Sequence, residues 1–428
     1  LRIRELLTYH RAMTELRQRH IAGFAAEAME TFPAVVIEGA RQVGKSTLAG
    51  QLASTKPATI VTLDDDDVRA AAIGDPATFV AQAGTGLLAI DEVQRTPGLL
   101  LAIKAAIDRD RRAGRFLLTG SSDLLRMPGA PESLAGRAVT VRLDGFSQGE
   151  TAGRVDDFVS RVSAAPNVLS GFETDIDRRN VIDRIIIGGY PELQTLSTRM
   201  RDAWLDAYTD RLLTRDSREL TRASDPGRLA ALLRLVAAGQ AGELVKSRLS
   251  RDAAMPETAA TVGLDLLQAL FLVGLLRPWT PNLTSREVGR PKAIVTDSAL
   301  AARLARLTAD ALARPTGAPH LGGQLEGFVV AELQKQSRWA SHPFELFHFR
   351  DRAGLEVDVI AELDDGRVIA IEVKSGATAK PEHFSGLKGL RDRLGERFIA
   401  GIVLNTAQRA VPFGERIWAV PVPALWEL

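Results

Sequence analysis

A chain of 428 residues exceeds one ordinary hydrophobic core and predicts two or three domains of roughly 100 to 200 residues each. Its apolar share of 45% and charged share of 25% exclude disordered and fibrous classes. The absence of cysteine excludes disulfide frameworks, thiolate nucleophiles, zinc ribbons and iron–sulfur clusters, while a net charge of +1 leaves nucleic-acid binding open, because a basic surface can be confined to one face.

In chain order, Leu6, Leu7, Met13, Leu16, Ile21 and Phe24 carry the apolar spacing of a helix that packs on the core after it. From residue 34 to 143 apolar runs at 34–38, 58–63, 87–90, 116–119 and 139–143 alternate with helical patterns. That alternation predicts an α/β domain, a parallel sheet covered by helices, over residues 1–150. Residues 151–178, rich in Gly, Ser and Ala-Ala-Pro-Asn, read as a loop or insertion. A mostly helical region follows over 179–310, and residues 249–275 within it have a helix–turn–helix look of winged-helix type that Leu276-Arg277-Pro278-Trp279 leaves. Pro, Gly and Ala at 311–323 suggest a second linker. Residues 320–428 then read helix, three strands, helix, strand, an α/β order αβββαβ. The longest apolar stretch, 266–276, is short of the ~20 residues of a spanning helix, and no N-terminal segment reads as a signal peptide. The expectation is a cytoplasmic protein with no membrane partner.

Gly39-Ala40-Arg41-Gln42-Val43-Gly44-Lys45-Ser46-Thr47 is a complete phosphate-binding loop. The strand at 34–38 delivers it, and Ser46-Thr47-Leu48 opens a helix, so backbone N–H groups and the helix dipole face an ATP phosphate chain. Lys45 is expected on the β and γ phosphates and the Ser46 hydroxyl on Mg2+. Leu87-Leu88-Ala89-Ile90-Asp91-Glu92 has the form of a Walker B strand, with Asp91 assigned to magnesium and Glu92 to the water-activating base. A second acid favours hydrolysis over nucleotide storage, and over a kinase, whose acceptor is not water. Gly120-Ser121-Ser122 ends another buried run, at the sheet edge where ligands of open α/β folds bind. Ser121, with Thr119 and Ser122 as competitors, can sense the γ-phosphate or the attacking water; the same residues also read as a helix N-cap.

Arg137 closes Glu132-Ser133-Leu134-Ala135-Gly136-Arg137 just before the fifth apolar run. Here the chain resembles the AAA+ ATPase class. That resemblance implies that Arg137 reaches a neighbouring subunit's nucleotide as an arginine finger, and hence a homo-oligomer; a solvated or structural arginine is the other reading. Across Gly39 to Thr47, 87 to Gln94 with Pro97, 116 to 122, 133 to Arg137, Gly188-Gly189-Tyr190-Pro191-Glu192 and Arg215-Asp216, the chain is similar to a widespread prokaryotic family of AAA+ ATPases with a C-terminal domain of uncharacterised function. No arginine stands out as the second sensor of its lid.

In the last region Glu356-Val357-Asp358 and Glu372-Val373-Lys374 lie on strands joined by Asp364-Asp365-Gly366. Alternation puts Glu372 and Lys374 on one face. Asp358 and Glu372 can hold Mg2+ for attack on a phosphodiester, with Lys374 stabilising charge and Glu326 completing the group from the preceding helix. This resembles the PD-(D/E)XK nuclease superfamily, which has the same αβββαβ order. Charges on a half-exposed sheet are the plain alternative. His342, His348 and His383 have no metal-site spacing. Two readings result: an ATPase coupled to a nucleic-acid module, DNA more than RNA, that cuts with Mg2+; or a nucleotide-dependent regulatory protein whose nuclease-like domain is silent and binds nucleic acid or a protein partner.

Overall fold

The computed structural model describes residues 17–121, 134–217, 225–281, 286, 289–351 and 354–428. Leu6, Leu7, Met13, Leu16, Ser122, Glu132 and Ser133 lie outside the described residues. The chain forms two compact units, one of residues 1–146 with 269–271 and one of 147–268 with 272–428.

The first unit begins with helix α1 (Ala22–Thr31) and strand β1 (Ala34–Glu38). It continues through α2 (Lys45–Ala53), β2 (Ala58–Thr62), α3 (Asp66–Gly74), α4 (Pro76–Ala81), β3 (Leu87–Asp91), α5 (Leu99–Arg109), β4 (Phe116–Gly120) and β5 (Ala138–Arg142). The strands pair in parallel in the order β2-β3-β4-β1-β5. A parallel sheet covered on both faces requires unbroken apolar strands, and β1 and β4 are buried at every position. Val36, Leu88, Ile90, Phe116 and Leu118 share a core with Leu99, Ile103 and Ile107 of α5. The Asp65 and Asp75 carboxylates accept backbone N–H groups at the starts of α3 and α4, each cap contributing about 1 kcal/mol.

In the second unit the helices of seven or more residues are α6 (Phe158–Ala164), α7 (Arg178–Ile187), α8 (Thr198–Arg211), α9 (Pro226–Ala238), α10 (Lys246–Asp252), α11 (Glu257–Ala269), α12 (Ser298–Leu304), α13 (Ala318–Gln336) and α14 (Ser385–Leu394). Its strands are β6 (Val273–Pro278), β7 (Lys292–Val295), β8 (Phe344–Arg350), β9 (Glu356–Leu363), β10 (Val368–Val373), β11 (Phe398–Asn405), β12 (Val411–Pro412) and β13 (Ile417–Pro421). They form one sheet in the order β12-β13-β11-β10-β9-β8-β6-β7. Alternation divides its side chains between two cores. Ile369 and Ile371 meet Leu325, Phe328 and Leu333 of α13, whereas Val368 and Ala370 meet Phe384, Leu387 and Leu390 around α14. The expected order αβββαβ is realised by α13, β8, β9, β10, α14 and β11.

Two expectations of organisation are corrected. Residues 151–178 are not a loop: α6 lies within them, with Phe158, Val159, Val162 and Leu169 fully buried, an apolar helical spacing that small residues dilute. Residues 311–323 are not a linker, because α13 starts at Ala318. Gly323 within it serves packing: a Cβ there would come within 2.8 Å of the Gln240 carbonyl oxygen. The regions expected at 179–310 and 320–428 both lie within the second compact unit. Helices α10 and α11 follow one another across the short segment 253–256, and residues 273–278 are strand β6. That strand pairs with β7 and also with β8, Arg277 opposite Phe347, so this hairpin extends the large sheet.

Candidate functional site

The loop from Gly39 to Thr47 owes its path to three backbone positions. Gly39 passes so close to β5 that a Cβ there would lie 1.9 Å from the Leu143 carbonyl oxygen. Gln42 and Gly44 have φ of 65° and 97°, the left-handed region that glycine enters without penalty. Gly44 caps α2, which begins at Lys45. The Lys45 ammonium is buried and donates to the Ala40 carbonyl at 2.9 Å. Arg19, which the sequence did not single out, braces the loop by donating to the carbonyls of Val43 at 2.9 Å and Asp144 at 2.7 Å.

Strand β4 lies between β1 and β3, so the polar end of β4 meets both the loop and the acids of β3. Ser46 Oγ donates to Asp91 Oδ1 at 2.7 Å, and Thr119 Oγ1 donates to the same oxygen. Burial raises the Asp91 pKa above the usual carboxylate range, against the hydrogen bonds from Thr119 and Ser46. A hydroxyl and a carboxylate facing each other are the hard oxygen donors that suit Mg2+, so Ser46 and Asp91 fit the ion. Glu92 has φ of 56°, a left-handed conformation costing about 1 kcal/mol or more for a non-glycine residue. It is held there by the bond from its N–H to Thr119 Oγ1 at 3.1 Å. Ser121 Oγ donates to Glu92 Oε2 at 2.9 Å, and Gln94 Nε2 donates to both Glu92 Oε2 and, at 2.9 Å, Ser121 Oγ. Gln94 closes the run from residue 87 that carries the family resemblance, but nothing in its local spacing aims it at Glu92, and only the fold shows that contact.

Arg137 is not brought to this group. The Ala34 N–H donates to the Arg137 carbonyl, which places Arg137 at the N-terminal edge of the sheet, a five-residue strand or roughly 16 Å from the loop edge. Its guanidinium grips Asp108 through Nε at 2.7 Å and Nη2 at 2.9 Å. That hydrogen bond raises the Arg137 pKa and lowers that of Asp108.

In the second unit, Glu326, Asp358, Glu372 and Lys374 do come together, with Lys292 of β7 in their midst. Lys292 Nζ lies 2.7 Å from Glu326 Oε1, 3.4 Å from Asp358 Oδ1 and 3.6 Å from Glu356 Oε1, with only 4% of its side chain exposed. Asp358 Oδ2 accepts the Val373 N–H at 2.9 Å. Glu372 accepts the Asp358 N–H at 3.4 Å and Lys374 Nζ at 2.5 Å. Burial, then the Asp358 charge, push Glu326 up to about 8 and Glu372 up to about 7. Burial pulls Lys292 down, but the combined attraction of Glu326, Asp358 and Glu356 outweighs it and leaves its pKa above the ordinary lysine value. Among the described residues no three His, Cys, Asp or Glu side chains are disposed to hold a metal ion. His342 pairs with Ser163, His348 with the Arg290 carbonyl and His383 with the Lys380 N–H, with no shared centre. Among the described residues no helix is long and apolar enough to cross a membrane.

Residues 31–152 match a family model described as an AAA domain, residues 178–311 a domain of unknown function (DUF8612), and residues 321–425 another (DUF4143). The chain is 30% identical over 413 residues to the proteins titled "Uncharacterized protein Rv2008c" of Mycobacterium tuberculosis and "Uncharacterized protein Mb2031c" of Mycobacterium bovis, covering 95% of this chain and 84% of each relative. Similar solved structures include the Walker-type ATPase paby2304 of Pyrococcus abyssi, at 17% identity over 68% of this chain and 99% of that one, with a TM-score of 0.42. Another is AMPPCP-bound DnaA of Aquifex aeolicus, at 12% identity over 58% and 86%, with a TM-score of 0.28. The first unit is thus a P-loop ATPase domain of the AAA class.

Proposed function

We propose, from the premise that this chain belongs to one family with Rv2008c and Mb2031c, that its first unit hydrolyses ATP to drive a nuclease-like second unit that binds nucleic acid without cutting it. The observation that carries the hydrolysis is the meeting of Ser46, Asp91, Thr119, Glu92 and Ser121 at one edge of the sheet. Backbone N–H groups of the loop and the Lys45 ammonium receive the phosphates once Lys45 leaves the Ala40 carbonyl. Ser46 and Asp91 would hold magnesium, which would supply charge neutralisation at the phosphates. The Glu92 carboxylate takes a proton from the attacking water, and Ser121 orients that carboxylate. The Arg137 guanidinium, remote from its own loop, serves the nucleotide of a neighbouring copy, so the active form is a homo-oligomer.

For the second unit, the order of α13, β8, β9, β10, α14 and β11, with Asp358, Glu372 and Lys374 on adjoining strands, supports a PD-(D/E)XK-like module with DNA as the favoured partner. Lys292 favours the silent reading over cleavage, because the acids that a nuclease would turn to Mg2+ here face an ammonium.

Glu92→Gln tests the hydrolytic assignment. The variant is expected to bind ATP as the natural chain does while turnover falls about 10²- to 10⁴-fold, the usual contribution of a general base. Phosphate release and fluorescent-nucleotide titration measure the two properties, and unaltered turnover would move the base to another residue.

A further inference from the structure

We infer that Lys292 is the built-in cation of the acid cluster in the second unit, and that by occupying the centre of Glu326, Asp358 and Glu356 it excludes a divalent metal. The inference deepens the silent-module reading above and rests on it only for the kind of metal site that is denied.

Lys292 is fixed by its strand rather than dangling into the cluster. It opens β7, opposite Leu276 of β6, and bridges Glu243 on its other side. The next residue, Ala293, exchanges two backbone hydrogen bonds with the segment on that side, at 3.1 Å to the Ala241 N–H and 3.0 Å to the Gly242 carbonyl. The Gln240 side chain fastens the far end of β7, accepting from the Val295 N–H at 2.9 Å and donating to its carbonyl at 3.2 Å. Only then does the side chain project, with its ammonium near three carboxylates. An ammonium carries three donors and no acceptor, which matches three facing carboxylates and offers nothing to a second cation.

The remaining oxygens strengthen the case. Mg2+ and Mn2+ need about six oxygen ligands in near-octahedral array. Asp358 Oδ2 already accepts the Val373 N–H, Glu372 Oε2 faces the Asp358 N–H, and Glu372 Oε1 is held by Lys374. A divalent ion among these acids would displace backbone donors and sit beside an unscreened ammonium with 4% side-chain exposure. Like-charge repulsion in so buried a site is severe. The lysine therefore does structurally what a metal does elsewhere, neutralising converging carboxylates, without supplying a Lewis acid or an activated water.

The test counts Mn2+ bound to the full-length, nucleotide-free chain by electron paramagnetic resonance, in variants that leave the phosphate-binding loop untouched. The wild type and Asp358→Asn are expected to bind the same number of ions, and their unfolding midpoints to respond to Mn2+ alike. Lys292→Met is expected to gain one equivalent, and Lys292→Met with Asp358→Asn to lose that gain. Because Lys292→Met leaves buried acids unpaired, Lys292→Met with Glu326→Gln provides a charge-relieved background for the same gain. A wild-type site that disappears in Asp358→Asn overturns the inference, as does a folded Lys292→Met that gains none. An Asp358-dependent Mn2+ site without DNA cleavage sinks this inference alone. Cleavage without any such site sinks the silent reading alone, and Asp358-dependent, Mn2+-dependent cleavage sinks both.

Discussion

Among individual residues, those that could be read in the sequence and those that could not differ in how far away their partners lie. Lys45 and Ser46 stand in a loop and helix made of their immediate neighbours, and Asp91 and Glu92 at the end of one strand, so local spacing was enough to propose them. Gln94 acts through a contact with Ser121, 27 positions away, and Lys292 through Asp358, 66 positions away; neither leaves a local signal. Gln94 matters because it and Ser121 both donate to Glu92 Oε2, and two donors on one oxygen fix the direction in which the carboxylate faces. Gln94 Oε1 is itself buried with no partner among the described residues, so its amide is held by what it donates. Gln94→Leu removes that donation and leaves Ser121 alone to orient Glu92. The turnover number is expected to fall severalfold, up to about tenfold for ~1.4 kcal/mol, with little change in KM. Unaltered turnover would instead reduce Gln94 to a packing contact.

The elements that emerged as expected are short apolar strands: the run 34–38 is β1 residue for residue, 87–90 lies within β3 and 116–119 within β4. Those misjudged carry small residues or glycine, where propensity and tertiary packing disagree. Helix α13 shows why, since Gly322-Gly323 looks like a break and sits inside a helix of 19 residues. A Cβ at Gly322 meets nothing within 4 Å, whereas at Gly323 it meets the Gln240 carbonyl oxygen at 2.8 Å. The two neighbours therefore respond with opposite signs. Gly322→Ala is expected to stabilise the second unit by roughly 0.5 to 1 kcal/mol through helix propensity. Gly323→Ala gains the same propensity but forces α13 from the Gln240 backbone, for a net loss of about 1 to 2 kcal/mol after overpacking. Denaturant unfolding of the pair decides it, and equal shifts would remove the packing explanation. Gly188 follows the same logic: a Cβ would lie 2.6 Å from Asp297 Oδ1, the carboxylate that caps α12 and also accepts the Gly189 N–H at 2.8 Å. The Gly188-Gly189 portion of that sequence motif thus has a structural use.

At the scale of the whole molecule, the outstanding question is whether one chain is a complete ATPase. Arg137 lies at the opposite sheet edge from its own Lys45, and its acid partner, Asp108, is itself 42% exposed. An exposed ion pair contributes little to stability, so the pair can open when a neighbouring chain presents a nucleotide. Arg137→Ala is expected to lower turnover about 10³-fold or more, as loss of an arginine finger does, while ATP binding persists. Asp108→Ala separates this from a structural role: it breaks the same pair but leaves the guanidinium, and is expected to retain turnover. Lys45→Ala is inactive for the opposite reason, losing nucleotide but keeping Arg137. If copies exchange at random, an equal mixture of Arg137→Ala and Lys45→Ala creates interfaces in which an intact loop meets an intact arginine at about one site in four. Turnover of the mixture is therefore expected near a quarter of the natural chain's, when each variant alone is silent. A mixture as inactive as its components would confine Arg137 to its own chain and remove the reason to assemble.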